Sequence, residues 1–395
     1  MIDRRNFLKI GAGTALGSAL PASQAASPGI RQLRRLGRTE LKVSDISFGS
    51  ASSSNPDLVR HAFERGVNFF DSAESYRGGD AEEAIGAALK GKRDKVILTS
   101  KTKAGTGDSR AEIMKSLEAS LKRLGTDHVD IYFNHAVNDV DRLRNPEWRE
   151  FTELAKRQGK IRFRGVSGHG GHLAQCIEYA IEQDLADVIL VAYNFSQDPG
   201  IADRLRHTFH WAAIQPELPR LLAKAKTKDV GVLAMKTLMG ARLNDMRRFE
   251  TAGASFSQAA LRWTLADPNV DALVISMTDK NQIDEFLGAS GAARTSAYDR
   301  ELLTRYAMLQ AGHYCQPGCN ACEASCPAGV QISEVLRTRM YALDYGDEIL
   351  ARGEYAQLER DATACLSCAN QQCLGACPIN VPIAQFTREM GSRFA

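Results

Sequence analysis

The chain has 395 residues, of which 44% are hydrophobic and 25% charged, with a formal charge of +3. That length holds one large domain and a small one, and the small charge excludes a nucleic-acid or anionic-membrane surface as its organising feature. Beyond the N-terminus no apolar run reaches the roughly 18 residues a membrane span needs, so composition reads as a soluble globular protein whose unusual content is nine cysteines, eight of them after residue 314.

The chain opens MIDRRNFLK, followed by an apolar, small-residue stretch over 10–20 and then PASQAAS. A charged start, a short apolar centre and a small-residue cleavage site are the parts of a secretory signal. Arg4-Arg5 followed by Asn6, Phe7, Leu8 and Lys9 resembles the twin-arginine export motif, departing from it at Asp3. The expectation is a signal over residues 1–26, cleaved after Ala25, with the twin-arginine machinery as partner and a soluble periplasmic product. A plain basic terminus and an uncleaved anchor are the alternatives.

From residue 31 short β-branched runs alternate with longer helical patterns. The runs fall at 43–49, 67–71, 96–100, 129–133, 161–166, 187–191, 230–235 and 270–275. Most are continuously apolar, as strands buried on both faces require. Amphipathic segments at 81–90, 110–124 and 171–183 lie between them. Eight strand–helix units in about 270 residues predict a (β/α)8 TIM barrel over 31–308. The runner-up is an open doubly wound sheet, against which stands the lack of a G-x-G-x-x-G after the first strand.

In such a barrel the chemistry sits at the C-terminal ends of the strands. Asp71 closes the second run, Tyr76 lies in the loop after it, Lys101 follows the third and His135 the fourth. A carbonyl that receives hydride needs a proton for its oxygen. A tyrosine of pKa about 10 supplies it near neutrality only if a neighbouring cation stabilises its anion. Lys101 is that cation, Asp71 its counter-ion and His135 the group that orients the carbonyl oxygen. Each residue taken singly also has a bland reading, as a cap or a structural histidine.

The stretches at 34–50, 69–91, 97–101, 116–137 and 159–169 look like the successive motifs of aldo/keto reductases, and the likeness runs over 34–287. It implies a catalytic tetrad of Asp71, Tyr76, Lys101 and His135. It also implies Ser167 and Asn194 as nicotinamide carboxamide contacts and a carbonyl or alcohol substrate. The loop after the eighth run, SMTDKNQIDEFL at 276–287, is where the family grips the adenosine end of the cofactor. Ser276 and Gln282 stand where familiar NADPH-dependent members have Lys and Arg, and Lys280 is its one cation. Paired cations favour a 2′-phosphate, so the cofactor is NADPH or NADH. His169 and His172 read as loop polar residues, Cys176 as core, and 196–219 as the segment lining the substrate pocket.

After the barrel, Cys315, Cys319, Cys322 and Cys326 form C-x3-C-x2-C-x3-C-P, and Cys365, Cys368, Cys373 and Cys377 form C-x2-C-x4-C-x3-C-P. Thiolates this closely spaced converge on soft-metal centres, and the trailing Pro marks ferredoxin-like [4Fe–4S] sites. Zinc and disulfides are the rivals. Resemblance to two-cluster ferredoxins implies a domain over 311–390, helical across 330–360. One cluster would then fall on Cys315, Cys319, Cys322 and Cys377 and the other on Cys365, Cys368, Cys373 and Cys326. The expected function is an exported oxidoreductase whose barrel handles a carbonyl or alcohol and whose clusters exchange electrons with a membrane or periplasmic partner. The alternative is an electron carrier or redox sensor with the barrel as scaffold.

Overall fold

The computed structural model describes residues 28–201, 215–239, 243–251, 253–310, 315 and 319–394. The signal read at 1–26 and most of the segment read as pocket-lining at 196–219 lie outside these residues.

Eight parallel strands close into a barrel: Ile46–Gly49, Phe69–Asp71, Ile97–Thr102, Val129–Asn134, Ile161–Gly168, Val188–Ala192, Gly231–Met235 and Ala272–Ser276. The last pairs with the first, Leu273 opposite Ile46. Phe69, Ile97, Ile131, Phe133, Val188, Leu190, Leu233 and Val274 fill the interior. The opposite faces of the same strands bury Phe48, Phe70, Leu98, Tyr132 and Val166 beneath the helices. Burial on both faces accounts for the continuously apolar runs.

The helices carry their own punctuation. Arg110–Leu124 opens with a reciprocal capping box between Ser109 and Glu112 and stops at Gly125, whose φ of 63° ends it in the left-handed region. Pro56–Glu64 and Pro146–Arg157 each begin with an Asn cap and a Pro in the first turn.

One expected strand proves to be two. Residues 43–49 break at Asp45, whose carboxylate turns inward to accept from Ser290 Oγ at 2.7 Å and Gly291 N at 2.6 Å. Before the break, Lys42–Ser44 pairs antiparallel with Leu33–Arg35, and this hairpin closes the lower end of the barrel with Leu36, Leu41 and Val43. Gly37 pins it in place. Its φ is +46°, and a Cβ there would lie 2.2 Å from Gly231 N.

Beyond the barrel come the helices Ala297–Gln310, Ile332–Leu343, Glu348–Tyr355 and Ile383–Phe394. No described helix is long and apolar enough to cross a membrane. The two cysteine motifs are built alike. In each, the backbone N–H four residues after the last cysteine donates to its sulfur, Val330 to Cys326 at 3.4 Å and Val381 to Cys377 at 3.3 Å. Each passes through a left-handed residue, Gly329 at φ 64° or Asn380 at φ 57°. Each then enters a twelve-residue helix six positions after that cysteine. The segment lies over the C-terminal end of the barrel, where Asp347 meets Arg77 at 2.8 Å and Tyr341 meets Lys236 at 2.8 Å.

Candidate active site

Asp71 ends the second strand, so its carboxylate projects at the mouth of the barrel, and Lys101 stands near the end of the third strand beside it. Lys101 Nζ donates to Asp71 Oδ2 and to the Ser72 carbonyl, each at 2.6 Å, while Thr99 Oγ1 donates to Asp71 Oδ1 at 2.6 Å. The lysine is 1% exposed. A buried ammonium persists only with such a partner set. Its Nζ also lies 4.9 Å from the centre of the Tyr76 ring, within cation–π range.

Tyr76 starts the short turn Tyr76–Gly79, and the next residue, Arg77, takes φ 55°, which swings the loop back toward the barrel mouth. The Tyr76 ring meets His135 edge-on, with centroids 5.5 Å apart. His135 is fixed by its own backbone N–H, which donates to the Thr102 carbonyl at 2.7 Å.

Electrostatics sorts these groups. Burial, with the Asp71 carboxylate adding to it, raises the Tyr76 phenol well above its ordinary value. Burial, reinforced by Lys101, Lys103 and Arg142, drops the His135 imidazole well below its ordinary value. Burial also lowers Lys101, opposed by Asp71. The resting site therefore holds a protonated tyrosine and a neutral histidine, the states that donate a proton and orient an oxygen.

Asp71, Tyr76, His135 and Gln282 line one cavity of about 1170 Å³, which runs on past Ser276, Thr278 and Phe286. That exceeds the 300–1,000 Å³ usual for small-molecule pockets and suits a substrate together with an extended cofactor. Lys101 lies behind Asp71. Gln282 folds back on its own loop, accepting from Thr278 N at 2.8 Å. Ser167 and Asn194 are buried at the ends of the fifth and sixth strands with their polar atoms engaged locally. Ser167 accepts from Ala136 N at 3.2 Å, and Asn194 donates to the Lys236 carbonyl at 3.1 Å and accepts from Ser196 N at 3.0 Å. Neither reaches the cavity wall. Cys176 is core, its thiol pushed up to about 12 by burial.

The wall also holds residues that sequence reasoning passed over. His169 reads as a loop residue but lines the cavity, with a buried Nδ1 that has no hydrogen-bond partner. Lys236 follows the seventh strand, and Arg337, Tyr341 and Glu354 come from the C-terminal helices. A lysine ending a strand was a usable signal. The other three follow from how distant segments pack, which no local pattern carries.

A model of the aldo/keto reductase family matches residues 46–305, well over half of the chain. The chain belongs to the aldo/keto reductase family. It is an oxidoreductase. Among its relatives, L-galactose dehydrogenase of Arabidopsis thaliana is 26% identical over 311 residues, covering 69% of this chain and 92% of the relative. L-glyceraldehyde 3-phosphate reductase of Escherichia coli is 26% identical over 302 residues, covering 65% and 87%. Solved structures share the fold. An aldo-keto reductase from Bacillus halodurans in its holo form superposes with a TM-score of 0.55 at 23% identity, covering 70% of this chain and 96% of that one. One from Klebsiella pneumoniae in complex with NADPH gives 0.54 at 23% identity, covering 70% and 95%. The helices that carry Arg337, Tyr341 and Glu354 lie beyond the family match.

No disulfide joins any of the eight C-terminal cysteines or Cys176. Burial raises the Cys315 thiol well above its ordinary value, and Cys319, Cys322 and Cys377 add to the effect. Burial raises Cys373, with Cys365, Cys326 and Cys368 contributing. The thiols thus fall into two neighbourhoods, each joining three cysteines of one motif to the last of the other. Among the described residues no group of three or more His, Cys, Asp or Glu side chains is arranged so as to hold a metal ion.

Proposed function

We propose that this aldo/keto reductase interconverts a small-molecule carbonyl and alcohol with NADPH or NADH, using Tyr76 as the acid–base. The buried Lys101–Asp71 pair beside the Tyr76 ring carries this reading. When bound, the nicotinamide supplies or accepts hydride. The wall from Ser276 through Thr278 and Gln282 to Phe286 would hold its adenosine end, and Ser167 and Asn194 would serve the carboxamide only after their local bonds rearrange.

The chain's own residues manage the proton. Tyr76 gives its hydroxyl proton to the carbonyl oxygen, and the Lys101 ammonium stabilises the phenolate left behind. Asp71 keeps the ammonium charged and in place, and neutral His135 orients the substrate oxygen. A group of this kind contributes typically 10²–10⁴-fold to rate.

The cysteines are read as ligands of two [4Fe–4S] clusters, one on Cys315, Cys319, Cys322 and Cys377 and the other on Cys365, Cys368, Cys373 and Cys326. The crossed neighbourhoods, the Cys-Pro endings and the amide N–H donors to sulfur support this set. Hydride carries two electrons and a [4Fe–4S] cluster takes one, so the clusters are assigned to exchange with a membrane or periplasmic partner. The Arg4-Arg5 pair and the apolar stretch after it support reading residues 1–26 as a twin-arginine signal, with the mature protein in the periplasm. A pure electron carrier has no use for a lysine buried against an aspartate beside a tyrosine, which argues against the scaffold reading.

The test is an anaerobic titration of the iron-replete mature protein with NADPH and, separately, NADH, following nicotinamide and cluster absorbances in the presence of an aldehyde panel. Cofactor consumption tied to aldehyde supports the barrel chemistry, and iron near eight atoms per chain supports the clusters. No consumption with any aldehyde overturns the first assignment, and iron-free protein from cluster-competent cells overturns the second.

A further inference from the structure

Resting on the proposed carbonyl chemistry at Tyr76, we propose that Lys236, Tyr341 and Thr237 form a receptor for a carboxylate, so that the substrate is a carbonyl compound bearing an acid group.

Most of the described charges in this corner of the cavity are paired. Arg337 is flanked by two carboxylates: it hydrogen-bonds Glu334 closely and lies 3.4 Å from Glu354. Lys103 lies 3.9 Å from the same Glu354. These two cations and two carboxylates balance. His135 and His169 are neutral. On the solvent side Asp347 pairs with Arg77 and Glu348 with Arg393, each at 2.8 Å, and Asp344 and the exposed Arg247 also face the cavity. Lys236 remains, with no described carboxylate within ion-pair distance. A lysine in a cavity wall without such a partner calls for an anion.

The neighbours of Lys236 complete a receptor. The Lys236 ammonium spends one N–H on Tyr341 Oη at 2.8 Å and keeps two. Tyr341 Oη also accepts from Arg337 Nη1 at 3.2 Å. With both cations donating to its oxygen, the tyrosine has its own O–H left to donate. Burial pushes this phenol up, but Lys236 and Arg337 outweigh it and hold it below the ordinary value, which makes it a strong donor. Thr237 Oγ1, buried and without a hydrogen-bond partner, lines the same wall. Lys236 also sits at φ 55°, a conformation rare for a side-chain-bearing residue and one that concentrates at functional positions. Three donors, one of them an ammonium, match the two oxygens of a carboxylate.

Tyr341 lies outside the family match, and it faces Tyr76 across the cavity closely enough to raise that phenol. The C-terminal segment therefore contributes to substrate choice as well as carrying the cysteines.

The experiment compares 4-carboxybenzaldehyde with its methyl ester as substrates of the full holoenzyme and NADPH. The acid is expected to show a KM about tenfold below the ester, as a charge-assisted contact gives. In Lys236→Met that ratio falls to near one, and in Tyr341→Phe it falls part-way. Lys236→Gln is the substitute where the Met variant does not fold. Equal KM values in the wild type, or a ratio that survives in Lys236→Met, overturn the proposal. So does a Lys236→Met variant whose only defect is a raised KM for NADPH. Where neither aldehyde turns over, the carbonyl reading fails and calorimetry decides the receptor separately. Benzoate binding that Lys236→Met abolishes supports it, and benzoate binding no better than benzamide overturns it.

Discussion

The Arg77 guanidinium, one residue after Tyr76, holds the carboxylate of Asp347 at 2.8 Å, tying the Tyr76 loop to the C-terminal segment. Asp347 is almost fully buried and also caps its helix, accepting from Leu350 N at 3.1 Å. Replacing it by Ala strands a guanidinium with little access to water and removes the cap, an expected loss of about 3 kcal/mol or more. Asp347→Asn keeps the cap and should lose about 1 kcal/mol less. Urea unfolding of both variants checks the order, and carbonyl KM should rise in both as the cavity wall loosens.

Lys101 and Asp71 are expected to separate stability from activity. Lys101→Met leaves a buried carboxylate unpaired, which costs about 3–5 kcal/mol, and removes the cation proposed to stabilise the Tyr76 anion. The double variant Asp71→Asn/Lys101→Met should regain most of the stability while its kcat stays about 10²–10⁴-fold down. Recovery of activity in the double variant would show that the lysine serves only the fold.

His169 gives a pH signature. Burial, aided by Arg337 and Lys236, sets its imidazole well below the ordinary value. The unfolded chain therefore binds a proton that the folded chain refuses, so stability is complete above about pH 6.5 and falls as pH drops below it. One such histidine contributes a slope of about 1.4 kcal/mol per pH unit. His169→Gln should reduce the slope between pH 6.5 and 5 by about that amount, with His135 supplying a similar remainder. An unchanged slope in chemical denaturation at these pH values contradicts the burial assignment.

The crossed cysteine neighbourhoods predict how ligand loss sorts. Cys377→Ser should damage the same cluster as Cys322→Ser, and Cys326→Ser the same cluster as Cys365→Ser. Iron content should fall to about half in each, and the residual paramagnetic signals should be alike within each pair and different between pairs. Pairing by motif instead would put Cys326 with Cys322.

Much of the barrel was legible because its strands are buried on both faces and their helices are bounded by strong caps. The helix expected at 110–124 is Arg110–Leu124, where capping box and Gly125 coincide. The first strand was misread as one piece because a polar Asp45 in an apolar run gives no local sign that it turns inward to Ser290 and Gly291. The placement of Asp71, Lys101 and His135 at the barrel mouth was readable from the strand ends, whereas Tyr76 comes from the loop after the second strand. Ser167 and Asn194 are where the strand ends put them, but their hydrogen bonds to Ala136, Lys236 and Ser196 depend on loop geometry that spacing does not encode. Tyr341 and Arg337 were invisible for a related reason. They reach the cavity through contacts spanning more than a hundred residues, such as Tyr341 to Lys236.

The most direct test of the central claim is Tyr76→Phe, compared with wild type in both reaction directions across pH 6–10. Because burial keeps the Tyr76 phenol protonated well past its ordinary range, wild-type carbonyl reduction should stay level through pH 9. Alcohol oxidation, which needs the phenolate, should climb toward alkaline pH. In Tyr76→Phe, kcat/KM is expected to drop about 10²–10⁴-fold in both directions and to lose this pH dependence. Turnover at the wild-type rate in Tyr76→Phe would contradict the account and leave the barrel without its acid.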